Sequence, residues 1–216
     1  MTHRVTHRAT RCQIRRRTHR APPSPWGRDA SHGTLPGVRR VEPETLTTER
    51  LILRPYDRGD ETAIVALLTD PDVMRFVGDG VFALDRAHRV FEKVFELYHR
   101  GAWGIWAVAE REGGRLVGSA EIKPRPNDDW EIVYILGKAA WGRGYATELG
   151  REIVRFGFDR LALDRVTATV DYANAVSIRV LEKLGMSQIG EESDDLGAYA
   201  VFGVDRAGRP SSEEVV

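Results

Sequence analysis

Residues 130–147 read W-E-I-V-Y-I-L-G-K-A-A-W-G-R-G-Y-A-T. Ile132, Val133, Tyr134, Ile135 and Leu136 form a short apolar run, β-branched and aromatic, of the length of a buried strand. A glycine-rich turn follows, Gly142-Arg143-Gly144. Beyond it Leu149, Ile153 and Phe156 recur at helical spacing. Strand, glycine turn and helix together aim unbonded backbone N–H groups at an anion, because the first turn of a helix has no internal acceptors and its dipole is positive there. Glycine lets the backbone come close to a phosphate, and Arg143 adds a fixed positive charge.

That arrangement indicates a phosphate or pyrophosphate ligand without saying which. A dinucleotide-binding fingerprint would need a third glycine where Thr147 stands, and a Walker-type loop would need Gly-Lys-Ser/Thr, which is absent. The longer run W-G-R-G-Y-A-T-E after an E-I-V-Y strand closely resembles the acyl-CoA-binding motif of the GNAT superfamily of N-acetyltransferases. Within it, the chain resembles the Rim-type branch, which includes the ribosomal-protein N-terminal acetyltransferases. T-T-E-R-L-I-L-R-P at 47–55, N-A-V-S-I-R-V-L-E-K-L-G-M at 174–186 and a late strand near Tyr199 occur in that family's order. The resemblance covers residues 45–206.

The bulk properties agree with a folded, globular chain. At 216 residues with 42% hydrophobic content, one domain is expected. No stretch approaches the ~18 apolar residues that span a bilayer, so no membrane partner is expected. One cysteine, Cys12, permits no internal disulfide or thiolate metal site; a reducing cytoplasm and no metal are the expectation. The zero formal charge hides an asymmetry. Residues 1–42 hold ten arginines against Asp29 and Glu42, a net of +8, so the rest of the chain carries −8.

Residues 1–42 read as a disordered Arg-rich tail: apolar residues are too few to offset the entropy of ordering. Its uses could be a nucleic-acid-binding arm, a transit peptide or a solvated extension. His3 and His7 have no helical face on which to chelate a metal. One N-acetyltransferase domain then spans 43–206, and 207–216 is a frayed C-terminal tail.

Within the domain, Leu46–Tyr56 reads as a first strand, and Asp57 or Asp60 caps a short helix through Leu68. Asp70-Pro71-Asp72 is a second helix start. Residues 85–100 form a helix with Val90, Val94 and Leu97 on one face and Phe91, Phe95 and Tyr98 beside it. These aromatics either pack on the sheet or line an acceptor site. Strands follow at 104–110 and 116–123, joined by the turn Arg111–Gly114, then the strand 130–136. After the helix ending near Asp159, a strand at 166–170 completes a parallel crossover. A helix from Asn174 to Leu184 would bury Val176, Val180 and Leu184, with Asn174 as cap and Gly185 as stop. Strands near 187–191 and 198–204 close the domain. The fold class is α/β (α+β), a GNAT-like, mixed and mostly antiparallel central sheet of about seven strands with flanking helices.

The resemblance implies acetyl-CoA as donor and an amine acceptor, on a protein N-terminus or a small molecule. It implies that strands 130–136 and 166–170 splay apart, so that the backbone of Tyr134, Ile135 and Leu136 pairs with the pantetheine arm. The turn Trp141, Gly142, Arg143, Gly144, Tyr145, Ala146 and Thr147 would hold the pyrophosphate, and Asn174 would reach the pantetheine. Two positions depart from the family. Trp141 stands where many members have Gln or Arg, and Leu181 stands where many carry a tyrosine general acid. Ser177, one turn earlier, is the nearest hydroxyl on that helix; it is either a proton donor or part of the cap of Asn174.

Acetyl transfer from a thioester needs an unprotonated amine, a polarised carbonyl and a proton for the leaving thiolate. Protein N-terminal amines have pKa values of about 8 and lysine about 10.4, so a base is needed. Glu131 and Glu121 are the candidates, and Glu148 reads as a surface residue. The expected activity is direct acetyl transfer. The alternative is a non-catalytic acyl-CoA-binding regulator. A monomer and a homodimer are both open, and nucleic acid enters only through the tail.

Overall fold

The computed structural model describes residues 44–99, 104–125 and 129–208. The tail at 1–42 and the last residues of the chain lie outside them. An eight-stranded sheet runs in the order β1-β2-β3-β4-β5-β6-β8-β7. Its strands are β1 (Leu46–Thr47), β2 (Leu51–Arg54), β3 (Ile105–Glu110), β4 (Leu116–Pro124), β5 (Trp130–Leu136), β6 (Arg165–Asp171), β7 (Ser187–Asp194) and β8 (Gly197–Asp205). Every neighbouring pair is antiparallel except β5 and β6. Four α-helices flank it: α1 (Glu61–Leu68), α2 (Leu84–His99), α3 (Tyr145–Asp159) and α4 (Ala175–Lys183). No described helix is long and apolar enough to cross a membrane.

Three elements differ from the sequence reading. The first strand is a hairpin, because Thr48 closes a turn: its N–H donates to the Leu51 carbonyl at 2.9 Å and its hydroxyl accepts from the Leu51 N–H at 3.0 Å. Splitting that strand makes the eighth. Asp70-Pro71-Asp72 starts no α-helix. The Asp70 carboxylate accepts from the N–H groups of Asp72 (2.9 Å) and Val73 (3.3 Å), and only a single tight turn, Met74–Phe76, follows. In α4 Ile178 and Leu181 pack on the core together with Val180 and the C-cap Leu184, as expected of the last two, while Val176 is 70% exposed.

Alternation along the strands divides the core. Trp106, Val108, Ile122 and Ile132 pack with Leu149, Ile153 and Phe156 of α3 and Leu181 of α4. Ile105, Ala107 and Ile135 point the other way, against Ile64 and Leu68 of α1 and Phe91 and Val94 of α2. Phe91 and Val94 are thus core, and Phe95 and Tyr98 pack on the rim of that cluster. The same parity, with the register Lys123 opposite Glu131, places Glu121, Lys123 and Glu131 on the α1/α2 face.

β5 and β6 pair in parallel at Glu131 and Thr167, near their N-terminal ends. Toward the C-terminal ends no further pair forms among the described residues. The Thr167 hydroxyl marks the parting point by donating to the Trp130 carbonyl at 2.9 Å.

Candidate active site

The glycine turn lies at the open end of that gap. After β5, Gly137 and a tight turn at Lys138–Ala140 lead to Gly142 and Gly144, whose φ angles are +71° and +78°. Side-chain-bearing residues rarely adopt that region, so glycine is the residue for both places. A Cβ added at Gly142 would meet nothing within 4 Å, so the space above the turn is open. Gly144 caps α3. The Glu148 N–H donates to the Gly144 carbonyl at 3.1 Å, which leaves the earlier amides of the first turn without an intrahelical acceptor.

Side chains brace the turn from below. The Trp141 indole donates to the Leu136 carbonyl at 2.7 Å. Arg143 pairs with Glu110 and lies 4.5 Å from the centre of the Tyr145 ring. The Tyr145 hydroxyl also donates to Glu110, at 2.9 Å. Arg50 donates to the Arg143 carbonyl at 2.9 Å. Glu148 is not a plain surface residue: its carboxylate accepts from the Thr48 hydroxyl (2.5 Å), the Arg50 N–H (2.7 Å) and the Arg50 guanidinium (2.7 Å). Burial alone would raise its pKa, but these donors hold it below the ordinary value. The first hairpin is thereby tied to the start of α3.

Tyr134, Ile135 and Leu136 pair with Ala120, Ser119 and Gly118 on the β4 side, and their β6 side lies beyond the parting point. Asn174 is the N-cap of α4, accepting the Ser177 N–H at 3.1 Å. The backbone of Ser177, not its hydroxyl, therefore completes the cap. The Ser177 side chain instead faces the Tyr134 hydroxyl. Ala146 and Thr147 sit half-buried in the first turn of α3, and Leu181 is buried in the core.

Glu131 is 2% exposed, at the parting of β5 and β6. The Thr169 hydroxyl donates to its Oε1 at 2.5 Å, and Lys123 Nζ lies 3.7 Å from its Oε2. It is thus no solvated strand-end charge on a surface arginine. Glu121 is buried on the same face, close enough for its charge to help raise the phenols of Tyr56 and Tyr98, an effect secondary to their burial.

A model of the Acetyltransferase (GNAT) domain matches residues 50–187, more than half of the chain. The chain belongs to the GNAT family. An N-acetyltransferase of Bacillus licheniformis, p20, itself uncharacterized, is 29% identical over 150 residues, covering 68% of this chain and 84% of that protein. Many solved structures share the fold, two of them as follows. The ribosomal-protein-S5-alanine acetyltransferase of Vibrio fischeri superposes with a TM-score of 0.63 at 15% identity, covering 77% of this chain and all of that one. The spermidine N-acetyltransferase of Vibrio cholerae, solved in complex with CoA and spermine, gives 0.62 at 18% identity, covering 73% and 96%. This GNAT protein is an acyltransferase.

Sequence reasoning missed several residues in and around this candidate site. Thr169 was within reach, since T-A-T alternation in β6 puts Thr167 and Thr169 on one face. Lys123 follows from the β4–β5 register, which the loop length alone does not give. Arg125 had no signal. Its buried guanidinium donates to both oxygens of Glu192 at 2.7 Å, across 67 residues of chain, and Tyr199 donates to the same carboxylate at 3.1 Å. Arg125, Glu192 and Tyr199 join the end of β4 to β7 and β8.

Proposed function

We propose that the protein moves the acetyl group of acetyl-CoA directly onto a primary amine, carried by a protein N-terminus or a small molecule. The observation that carries this reading is Glu131. A buried carboxylate stands where β5 and β6 part, with the positive-φ glycine turn at the open end of the same gap. The residues fit the donor. The amides at the start of α3 that lack intrahelical acceptors and the open space over Gly142 suit a pyrophosphate, with Arg143 beside them. The β6-side backbone of Tyr134, Ile135 and Leu136 suits an extended arm, and the Asn174 amide nitrogen remains to donate to it. Bound there, acetyl-CoA supplies the activated acyl group.

The rest is the work of this chain. The amine arrives protonated at neutral pH and must lose that proton before it can attack. Glu131 is the base, directly or through a water, with Thr169 and Lys123 fixing the orientation of its carboxylate. Glu121, deeper on the same face, is the second candidate. The α4 side of the gap, where Ser177 stands, returns a proton to the leaving thiolate. The Rim-type motif at 141–148 favours an N-terminal peptide as acceptor, and the acidic face around Glu121 and Glu131 also suits a small cationic amine.

The test is a screen of N-terminal peptides, polyamines and amino acids with acetyl-CoA, read by release of free thiol. At least one amine should raise release well above the background hydrolysis. Acetyl-CoA that binds by calorimetry but yields no thiol with any amine would convert the reading to a non-catalytic acyl-CoA binder.

A further inference from the structure

Tyr134 carries a buried hydroxyl for which no hydrogen bond is formed among the described residues. Enclosed phenols nearly always have a partner, and one without is a donor waiting for an acceptor. Strand parity places its ring on the α3/α4 face, against the core beneath α3, three residues past the point where β6 leaves β5. The polar side chain facing the hydroxyl across the gap is Ser177, which does not close a bond of normal geometry with it. Leu181, one turn further along α4, has no proton to give.

We propose that Tyr134 is the general acid of the transfer, protonating the departing CoA sulfur, with Ser177 as the hydroxyl that restores its proton. This rests on the acetyl-transfer reading above. The amine nitrogen bonds to the thioester carbonyl carbon, the carbon–sulfur bond breaks, and its electron pair stays on sulfur. The Tyr134 O–H proton passes to that sulfur, and the phenolate regains a proton from solvent through Ser177. Glu131 takes the ammonium proton before the attack and releases it to solvent, and then takes the second proton, which leaves nitrogen as the amide forms. Glu131 and Tyr134 differ in parity, so base and acid stand on opposite faces of β5, with the reacting carbon between them and no direct route for proton exchange. Burial raises the phenol further above its ordinary value, which keeps it in the donating form.

The test is Tyr134→Phe, which keeps the ring and its packing. Turnover should fall ~10²-fold with acetyl-CoA affinity unchanged within about twofold. The deficit should narrow above pH ~8.5, where a thiolate leaves without help. A second reading needs no turnover: the thiol of bound CoA is titrated by its thiolate absorbance. A phenol donating to sulfur lowers that pKa below the value for free CoA, and Tyr134→Phe should return it. A variant with wild-type turnover and the same thiol titration overturns the proposal. A wild-type protein silent toward every amine overturns the transfer reading instead, and the thiol titration then decides alone whether Tyr134 meets the sulfur.

Discussion

A carboxylate that collects a proton from an incoming amine must be held in one orientation while keeping a lone pair available. Glu131 meets both demands with two neighbours, the Thr169 hydroxyl on Oε1 and the more distant Lys123 ammonium near Oε2. Glu131→Gln keeps the Thr169 bond and the side-chain volume and removes only the basicity. Turnover should drop ~10²-fold while acetyl-CoA affinity holds. Part of the loss should return at high pH, where the free amine is already abundant. Normal turnover near neutral pH would move the role to Glu121. The glutamate itself was legible, as the polar first position of an apolar strand. Its burial was not, because that depends on β4 and β6 flanking it, and the residues that meet it, Lys123 and Thr169, are not its neighbours in the chain. Arg125 and Glu192 show the limit more sharply: no local pattern connects two charges in separate strands.

The glycine turn is the element whose chemistry is easiest to isolate. Gly142 has open space where a Cβ would go, so a substitution there strains the backbone without colliding with a neighbour. Asn and Asp are the side-chain-bearing residues most tolerant of positive φ, and they differ in charge alone. Gly142→Asn should therefore cost some stability but bind acetyl-CoA moderately well. Gly142→Asp should bind more than tenfold less tightly than Gly142→Asn, ~1.4 kcal/mol, if the turn holds the pyrophosphate as proposed. Equal affinities by calorimetry would place the phosphates elsewhere. Periodicity gave this element, from strand to helix, almost to the residue. It failed at 46–56 and 70–76, where Thr48 and Asp70 bond to nearby backbone and so outcompete strand and helix. Asp70 and Asp72 also pair with Lys138 at 3.0 and 2.9 Å, which anchors the loop to the approach to the glycine turn. Propensity rules see the proline and the caps but not that remote lysine.

Across the described residues, the sheet consists of an antiparallel half, β1 to β5, and a second half, β6, β8 and β7, joined by one ladder pair, by side-chain bonds such as Arg125 to Glu192 and Thr169 to Glu131, and by packing under α3. A gap of that kind opens the sheet to a ligand but removes the ladder that would otherwise hold the halves together. Ties between the first half and α3 supply part of the replacement, and Glu110 is a principal one. At the end of β3 it receives Arg115 from the β3–β4 turn at 3.0 and 3.1 Å, Arg143 from the glycine turn, and the Tyr145 hydroxyl from α3. Its pKa is lowered to about 2, chiefly by the Arg115 hydrogen bonds and then by Tyr145, against an opposing effect of desolvation, with a lesser lowering by Arg143. In the unfolded chain the same group titrates at about 4.3. As the pH falls the unfolded state takes up the proton first, so the stabilisation is complete above about pH 5 and is lost progressively between there and pH 2. Glu110→Gln should lower the melting temperature at neutral pH, and the gap to wild type should close across that acid window. High salt should narrow it too, because the cluster is open to solvent. A gap that stays constant from pH 7 to pH 2 would mean that Glu110 acts through shape alone, and that its charge does not hold the glycine turn against β3.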